Sequence, residues 1–445
     1  MGVADHRAYT SALVPANPIE RLSRKLRVTP AMPGRECSPV QPGQGVTHRE
    51  GQDDSRRSVH YTIYSLLSRH LTIREIDASA WNCLAGKNVF AAHGFLLTVE
   101  SCYRAPMEPV YFTLFRDRLM VAAAVCHVAR AARETETLDD MVFGQAALGA
   151  RALGLTFLPA FICGPPVGYG WHIGVHPDLG PRDAAEARVL MLDAMDAEAR
   201  ARRLRVSFTQ VLDAEVEARR LVETRRYLRC KGVPVAALDL PFASFDEYLE
   251  SLPRAIRREI RRQIRRNGES GTTIGLLDEV GDAEGRLQAL VDGNFRKYNG
   301  RPFALGRGFF AALRGAMGDH ARIFVARKAG SITGVCLVLV QQDAAFPIAV
   351  GVDPEMASDD FTYFQVAYHA PIAHAIATGI RQMFYGRGME TMKMRRGCRF
   401  MGAWLYYQPS VARRPLAVAW FAAVSAWINL KSPSTVRRSV EAGRS

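Results

Sequence analysis

A short segment near the end of the chain concentrates residue types that could bind or stabilise negative charge. It lies between Tyr385 and Gly397, where glycines alternate with basic side chains. Glycine after a strand lets backbone N–H groups approach an anion closely, and a fixed cation can hold a phosphate or an oxyanion. The candidate anion-binding residues here are Gly386, Arg387, Gly388, Lys393, Arg395 and Arg396. A turn before an edge strand explains the same pattern without any chemistry.

The same segment contains two candidates for proton transfer. Tyr385 and Glu390 could relay a proton from an attacking amine, directly or through water, if they face a cleft. They are therefore the candidate catalytic side chains that the residue types suggest.

A second basic cluster lies on a predicted helix over Phe245–Asn267. Ile256, Ile260 and Ile264 repeat every four residues and form one narrow apolar stripe. Seven arginines flank this stripe in two rows: Arg254, Arg258, Arg262 and Arg266, and Arg257, Arg261 and Arg265. Because the guanidinium fork suits phosphate oxygens, we expect Arg257 and Arg261 to contact a phosphate-bearing ligand. A solvated surface is the alternative.

Two further segments are candidates for binding a substrate. A loop rich in glycine and proline, residues 164–170, follows a buried strand and carries Tyr169. After a helix in the second half, the candidates are Lys297, Tyr298 and Arg301. A rigid loop and a charged surface are the respective alternatives.

Composition limits the classes of function. The net charge of +14 at pH 7 favours polyanionic partners such as nucleotides, RNA or an anionic membrane. The 8 cysteines contain no CxxC pair, so we expect no metal site. The sequence also lacks a Walker loop, HExxH, GxSxG and the Rossmann glycine pattern. The sequence therefore offers no motif that would indicate a hydrolase or a nucleotide-hydrolysing enzyme.

The elements that must position these residues form a faint internal repeat. Two strand–turn–strand patterns, at 110–126 and 322–340, are typical of β-hairpins. Each is followed by helices and single buried strands, including one predicted at Val233–Leu240. We predict an α/β (α+β) fold of two tandem domains with mostly antiparallel mixed sheets. The predicted division is a disordered tail over 1–70, domains over 71–240 and 241–410, and an apolar helix with a basic tail over 411–445.

The order of motifs in the second half resembles a known superfamily. An Arg-rich helix, the segment Asn294–Tyr298, the hairpin and the Gly386–Gly388 segment follow one another. In this order the chain is similar to GNAT (acyl-CoA N-acyltransferase) proteins, in the branch of Fem-type peptidoglycan-bridge ligases and BioF2-like acetyltransferases. The usual pyrophosphate signature of acetyltransferases and the coiled-coil arm of Fem ligases are absent.

The resemblance implies an acyltransferase. The family transfers an acyl or aminoacyl group from acyl-CoA or aminoacyl-tRNA to an amine, in a cleft beside or between two GNAT-like domains. Its late lysine, which steadies developing negative charge, falls on Lys393. No cofactor would be permanently bound, since the donor is a co-substrate. The acceptor would be a small-molecule or peptide amine, in cell-envelope or specialised metabolism.

Two alternatives stay open at this stage. A non-catalytic protein that binds RNA or phosphate through the Arg-rich helix would explain the charge without the paired halves. The segment Leu416–Leu430 could pack on the second domain or rest on an anionic membrane. No apolar leader opens the chain, and we expect a cytoplasmic protein.

Overall fold

The computed structural model describes residues 66–104, 107–130, 139, 156–170, 172–225, 227–357, 360–409, 414–431, 436 and 440. Most of the predicted tail, residues 1–65, lies outside the described residues. Residues 66–70, which the sequence assigned to that tail, instead form the first strand.

The first sheet is built mainly by the N-terminal half. Its strands pair in the order β1, β2, β3, β4, β6, β15, β7, with β5 paired to β3. Among the described strands of this sheet, only β4 and β6 are parallel neighbours. The strands are β1 Leu66–His70, β2 Glu108–Arg116, β3 Leu119–Ala129, β4 Ala160–Cys163, β5 Gly174–Val175, β6 Arg205–Leu212, β7 Leu228–Lys231 and β15 Ala403–Tyr407.

The second sheet has the order β14, β8, β13, β12, β11, β10, β9. Again one neighbouring pair, β12 with β13, is parallel. The strands are β8 Val235–Asp239, β9 Thr273–Leu276, β10 Ala321–Lys328, β11 Ser331–Gln341, β12 Ala344–Val352, β13 Gln382–Gly386 and β14 Arg399–Met401. Two mixed, mostly antiparallel sheets of this kind are the predicted fold class.

Helices cover the two sheets. In the first half these are α1 Ala78–Ala85, α2 His93–Cys102, α3 Pro181–Ala201 and α4 Val216–Thr224. In the second half they are α5 Phe245–Ser251, α6 Arg254–Glu269, α7 Glu284–Asn299, α8 Phe309–Met317, α9, α10 Glu390–Met394 and α11 Arg414–Lys431. Helix α9 has three consecutive parts, Thr362–Phe364, a π-helical turn Gln365–His369, and Ala370–Ala377.

The two predicted hairpins are present and have the same turn. Asp117 and Arg118 connect β2 to β3 with φ of 49° and 74°. Ala329 and Gly330 connect β10 to β11 with φ of 48° and 76°. Positive φ at both central residues is the hairpin turn whose twist matches the flanking strands. The internal repeat therefore corresponds to equivalent hairpins in the two sheets.

Each half contributes one strand to the sheet of the other, which corrects one assignment from the sequence. The strand predicted at Val233–Leu240 was placed in the first half, but β8 pairs with β13 and β14 of the second sheet. Conversely, β15 pairs with β6 and β7 of the first. Local patterning marks a strand, whereas its partner depends on long-range packing.

The single helix predicted over Phe245–Asn267 is divided into α5 and α6. Pro253 lies between them, at the N-cap of α6, where its missing N–H costs nothing. Ile260 is 2% exposed in a core with half-buried Ile256 and Ile264, so the predicted apolar stripe faces the protein. The arginine rows consequently face outward.

The two halves share one apolar core. A single cluster of buried side chains includes Phe90 and Tyr169 from the first half and Phe303, Phe309 and Phe346 from the second. Phe90 contacts both Tyr169 and Phe346, with ring centroids 4.9 Å and 5.4 Å away. Because this core spans the junction, the relative position of the two halves is set by close packing.

Candidate functional site

A pocket of about 220 Å³ lies at the junction of the two halves. The first half supplies one short loop and the residue after α2. The second supplies the end of α7, the segment that follows it and the loop after β13. The lining residues are Tyr103, Pro166, Val167, Gly168, Phe295, Asn299, Arg301, Pro302, Phe303, Ala304 and Arg387. A pocket lined by two arginines from different elements and by aromatic residues suits an anionic ligand with an apolar portion.

An ion pair between the halves fixes one wall of this pocket. Arg104 donates from Nη2 to Oδ2 of Asp292 at 2.7 Å and from Nε to the carbonyl of Phe303 at 2.9 Å. Asp292 is 6% exposed and also accepts from the backbone N–H of Phe303 at 3.1 Å. The segment that carries Arg301 is therefore held from both sides.

A glycine makes the opposite wall possible. Gly168 has φ of 112°, and a Cβ at this position would lie 2.2 Å from the Phe90 ring. No other residue could adopt this backbone against that ring without displacement. The next residue, Tyr169, is buried, and its hydroxyl donates to the carbonyl of Phe384 at 3.3 Å. Tyr169, a predicted substrate contact, therefore connects the two halves behind the pocket.

Lys393 organises the loop that carries Arg387. It is 4% exposed, and its Nζ donates to the carbonyls of Tyr385, Gly386 and Arg387 at 2.7, 3.1 and 2.9 Å. All three N–H donors of the ammonium group are thus directed at one loop. Burial lowers the pKa of Lys393 to about 8. The structure gives this predicted catalytic residue a positioning geometry.

The glycines on either side of Arg387 permit this loop. Gly386 and Gly388 have φ of 65° and 72°, in the left-handed region that favours glycine. The backbone therefore turns sharply, and Lys393 reaches three successive carbonyls. In this arrangement Arg387 is one of the residues that line the pocket.

Two other predicted residues of this segment are buried away from the pocket. Tyr385 stacks on Tyr368 at 4.9 Å, its hydroxyl contacts the sulfur of Met383, and burial raises its pKa well above 10. Arg396 is 3% exposed, with its guanidinium 4.7 Å from the centroid of the Phe364 ring. The roles predicted for them, in catalysis and in anion binding, are corrected to packing beside α9.

Glu390 begins α10 and is half-buried, close enough to Lys393 to favour its charged form. Lys297 and Tyr298 are exposed at the end of α7, where the ammonium lies 5.4 Å from the tyrosine ring. Of the substrate contacts predicted on this segment, only Arg301 lines the pocket.

The basic face of α6 forms a broad groove, with a volume of about 810 Å³. Arg395, which follows α10, joins the helix arginines there. Arg257 pairs with Glu250, and Arg261 pairs with Glu250 at 3.1 Å, so their charges are partly balanced. The groove residues without an ion pair in the described part of the chain are Arg254, Arg258 and Arg395.

The pocket contains residues that the sequence did not identify. Tyr103 and Phe303 line the pocket because the two halves pack together there. Local sequence patterns do not predict such long-range contacts. Phe295 and Asn299 lie within segments that the sequence had marked through their neighbours, Lys297 and Tyr298. The sequence signal that could have found these pocket residues was an aromatic residue and a glycine near the end of a helix.

The described residues contain no group of His, Cys, Asp or Glu side chains arranged to hold a metal ion. Within the same part of the chain, no helix combines the length and the apolar character needed to cross a membrane.

Two GNAT-type sheets, each with one parallel strand pair, and a pocket at their junction define a tandem GNAT protein. The chain belongs to the FemAB_like family, described as peptidoglycan biosynthesis/recognition, whose match covers residues 72–420. Family membership and fold support a transferase as the class of protein. No protein with a curated description matches the chain.

Among solved structures, the chain is similar in fold to FemX, with 12% identity and a TM-score of 0.51 over 78% of this chain and 98% of FemX. L-PGS from Bacillus licheniformis shows 12% identity and a TM-score of 0.47, covering 80% and 97% of the two chains. A tandem GNAT protein from the clavulanic acid biosynthesis pathway shows 12% identity and a TM-score of 0.40, covering 78% and 100%.

Proposed function

We propose that this protein transfers an acyl or aminoacyl group from a phosphate-bearing donor to an amine, in the pocket between its two halves. One observation carries the proposal: Arg301 and Arg387, from separate elements, line the same pocket between the two GNAT-like halves. The acceptor we propose is a peptidoglycan precursor peptide, which agrees with the family description of peptidoglycan biosynthesis/recognition. We place the reaction in the cytoplasm, where acyl-CoA and aminoacyl-tRNA are available.

The chemistry assigns a role to the pocket cations. The amine nitrogen bonds to the donor carbonyl carbon, and the carbon–sulfur or carbon–oxygen bond to the leaving group then breaks. The amine loses one proton, and the leaving group gains one. Negative charge collects on the carbonyl oxygen during attack, where a guanidinium can stabilise it. Arg387 is the proposed stabilising group, and Arg301 would bind a carboxylate or phosphate of the acceptor.

The basic groove fits the donor. Arg387 lines the pocket and Arg395 lines the groove, and they are only eight residues apart. A chain of that length spans at most about 28 Å, so one extended donor could contact both sites. Arg254, Arg258 and Arg395 would contact its phosphates, with Arg257 and Arg261 beside them. The donor is a co-substrate, acyl-CoA or aminoacyl-tRNA, and no resident cofactor is required.

Transfer can be measured directly. Purified protein would be incubated with acetyl-CoA or with radiolabelled alanyl-tRNA, together with a lysine-containing peptidoglycan precursor peptide. We expect a peptide product heavier by the acyl or alanyl group in one of the two reactions. If neither donor is consumed beyond its rate without enzyme, the proposed transfer is wrong.

The groove also favours a second candidate, a non-catalytic protein that binds RNA or phosphate. An exposed arginine surface is sufficient for such binding. The variant Arg395→Ala distinguishes the two candidate functions. In a transferase it raises KM for the donor with little change in kcat, whereas a binding protein with the same groove shows no turnover to alter.

A further inference from the structure

Helix α11, Arg414–Lys431, has one face packed on the first sheet. Phe421, Val424 and Ile428 are buried against Leu405 and Tyr407 of β15. The helix therefore packs on the first sheet, through a strand that the sequence assigned to the second domain. Among the described side chains of α11, the buried ones lie on one side of the helix.

The opposite face of α11 is exposed and apolar. Val418 is 48% exposed and Leu430 is 81% exposed. Solvent-facing helices ordinarily carry charged residues there, but the sequence has no charged residue between Arg414 and Lys431. The exposed residues of this face are Val418, Ala419, Ala422, Ala423, Ala426 and Leu430.

In the sequence, basic residues both precede and follow this helix. The segment 411–445 contains a single acidic residue, Glu441. Its basic residues are Arg413, Arg414, Lys431, Arg437, Arg438 and Arg444. Each basic residue near an anionic bilayer contributes about 1 kcal/mol to binding. A second copy of the chain would bring the same positive charges together, so charge complementarity favours an anionic lipid surface.

We propose that α11 docks the protein on the surface of an anionic bilayer, with its exposed apolar face in the headgroup region. The helix lies in the plane of the interface, because its other face stays packed on β15. The proposal is independent of the proposed transfer chemistry.

Vesicle flotation of the full chain tests this proposal. Vesicles of phosphatidylcholine alone would be compared with vesicles containing one quarter phosphatidylglycerol, at 50 mM and 300 mM NaCl. We expect binding to the anionic vesicles to be at least 10-fold stronger at low salt, and to weaken at high salt. Absence of binding to anionic vesicles at 50 mM NaCl overturns the proposal.

A double variant, Val418→Glu with Leu430→Glu, locates the contact. Both side chains are exposed, so the fold should be retained, and vesicle binding should fall at least 10-fold. Leu119→Glu, at a 46% exposed position on the β2–β3 hairpin, is the matched control and should bind like the unaltered chain. Equal binding by the double variant contradicts the proposal.

Light scattering in the absence of lipid tests the alternative that a second copy of the chain covers the exposed face of α11. A dimer that the double variant abolishes, without any vesicle binding, would identify a second copy and overturn the proposal. Transfer to a soluble acceptor should be unchanged in the double variant, so failure of docking and failure of the transfer chemistry are distinguishable.

Discussion

Each sheet has one junction where two parallel strands pair over a few residues and then separate. The two junctions differ in how their backbone carbonyls find hydrogen-bond donors. In the first sheet β4 pairs with β6 over four residues, and in the second β12 pairs with β13 over only two. Beyond these pairs the strands separate, which leaves backbone carbonyls without a strand partner. A buried cationic side chain contacts a backbone carbonyl at each junction, but among the described residues only His172 forms an ion pair with a carboxylate.

At the first junction the cation is part of an ion pair. His172 contacts the carbonyl of Thr209 through Nε2 at 2.7 Å and Glu215 through Nδ1 at 3.0 Å. Burial alone would lower the pKa of His172, but the Glu215 carboxylate raises it above 6.5. Both ring nitrogens face acceptors, so the ring is an imidazolium with balanced charge.

At the second junction Lys393 has three carbonyls and, in the described part of the chain, no carboxylate within ion-pair distance. Burial lowers its pKa more than the nearby Glu390 carboxylate, which forms no ion pair with it, raises it. The first junction is therefore scaffold, held by balanced charge. The second lacks such an ion pair among the described residues, and its lysine holds the loop of Arg387, which lines the pocket.

The largest effect should come from breaking the ion pair. Glu215→Gln leaves the imidazolium buried without its counter-charge, and we expect the free energy of unfolding to fall by about 3–5 kcal/mol. Urea denaturation at pH 6 measures this change. Glu217→Gln removes an exposed carboxylate on the same helix and is the control, with an expected loss of about 0.5 kcal/mol or less. Similar values for both variants would show that the pair is not structural.

The pair also gives a pH dependence with a definite sign. His172 contributes stability that is fully present below its unfolded pKa of about 6.5 and is lost as pH rises through its raised folded pKa. Glu215, whose pKa lies below 4.5, contributes above that value and loses its contribution as pH falls. The destabilisation caused by Glu215→Gln should therefore be greatest near pH 5–6. An equal loss at pH 6 and pH 9 would contradict a charged His172.

Removing the second cation should have a smaller effect on stability and a marked effect on function. Lys393→Met leaves three carbonyls without their donor, at a cost of about 2 kcal/mol. Because Arg387 would lose its supporting loop, kcat should fall while the melting temperature drops only a few degrees. Met392→Leu, the half-buried neighbouring residue, is the control and should retain activity. Unchanged kcat in Lys393→Met would remove its positioning role.

The cost of Lys393→Met should grow with pH. The folded chain binds fewer protons at Lys393 than the unfolded chain between pH 8 and 10.5, so this residue contributes more stability as pH rises. The difference between the unaltered chain and the variant should increase by about 1 kcal/mol from pH 8 to pH 9. A difference that shrinks over this range would mean that the pKa of Lys393 is not lowered.

The smallest predicted effect on stability comes from removing the hydrogen bond that joins the two halves through the Tyr169 hydroxyl. Tyr169→Phe removes one neutral hydrogen bond to Phe384 and should cost about 1 kcal/mol. Tyr298→Phe, at a 63% exposed site, is the matched control and should leave the melting temperature unchanged. Equal melting temperatures for the two variants would show that this bond does not stabilise the junction.

Local patterns predicted the hairpins, the apolar stripe on α6 and the helix at the chain end, because each depends on neighbouring residues. The exchange of β8 and β15 between the sheets was not predictable in the same way. Lys393 shows the limit most clearly. Its type and position marked it as important, but the sequence could not indicate whether its ammonium faces a substrate or three carbonyls.

The central claim is that transfer takes place in the pocket at Arg387. The most direct test compares kcat/KM of Arg387→Ala with that of the unaltered chain, in whichever donor reaction yields product. We expect a loss of about 100-fold, typical of removing one group that stabilises a developing oxyanion. Arg327→Ala, at an exposed arginine of β10, should be unchanged. If Arg387→Ala keeps its kcat/KM while Arg395→Ala loses turnover, the reaction takes place at the groove and the central claim is wrong.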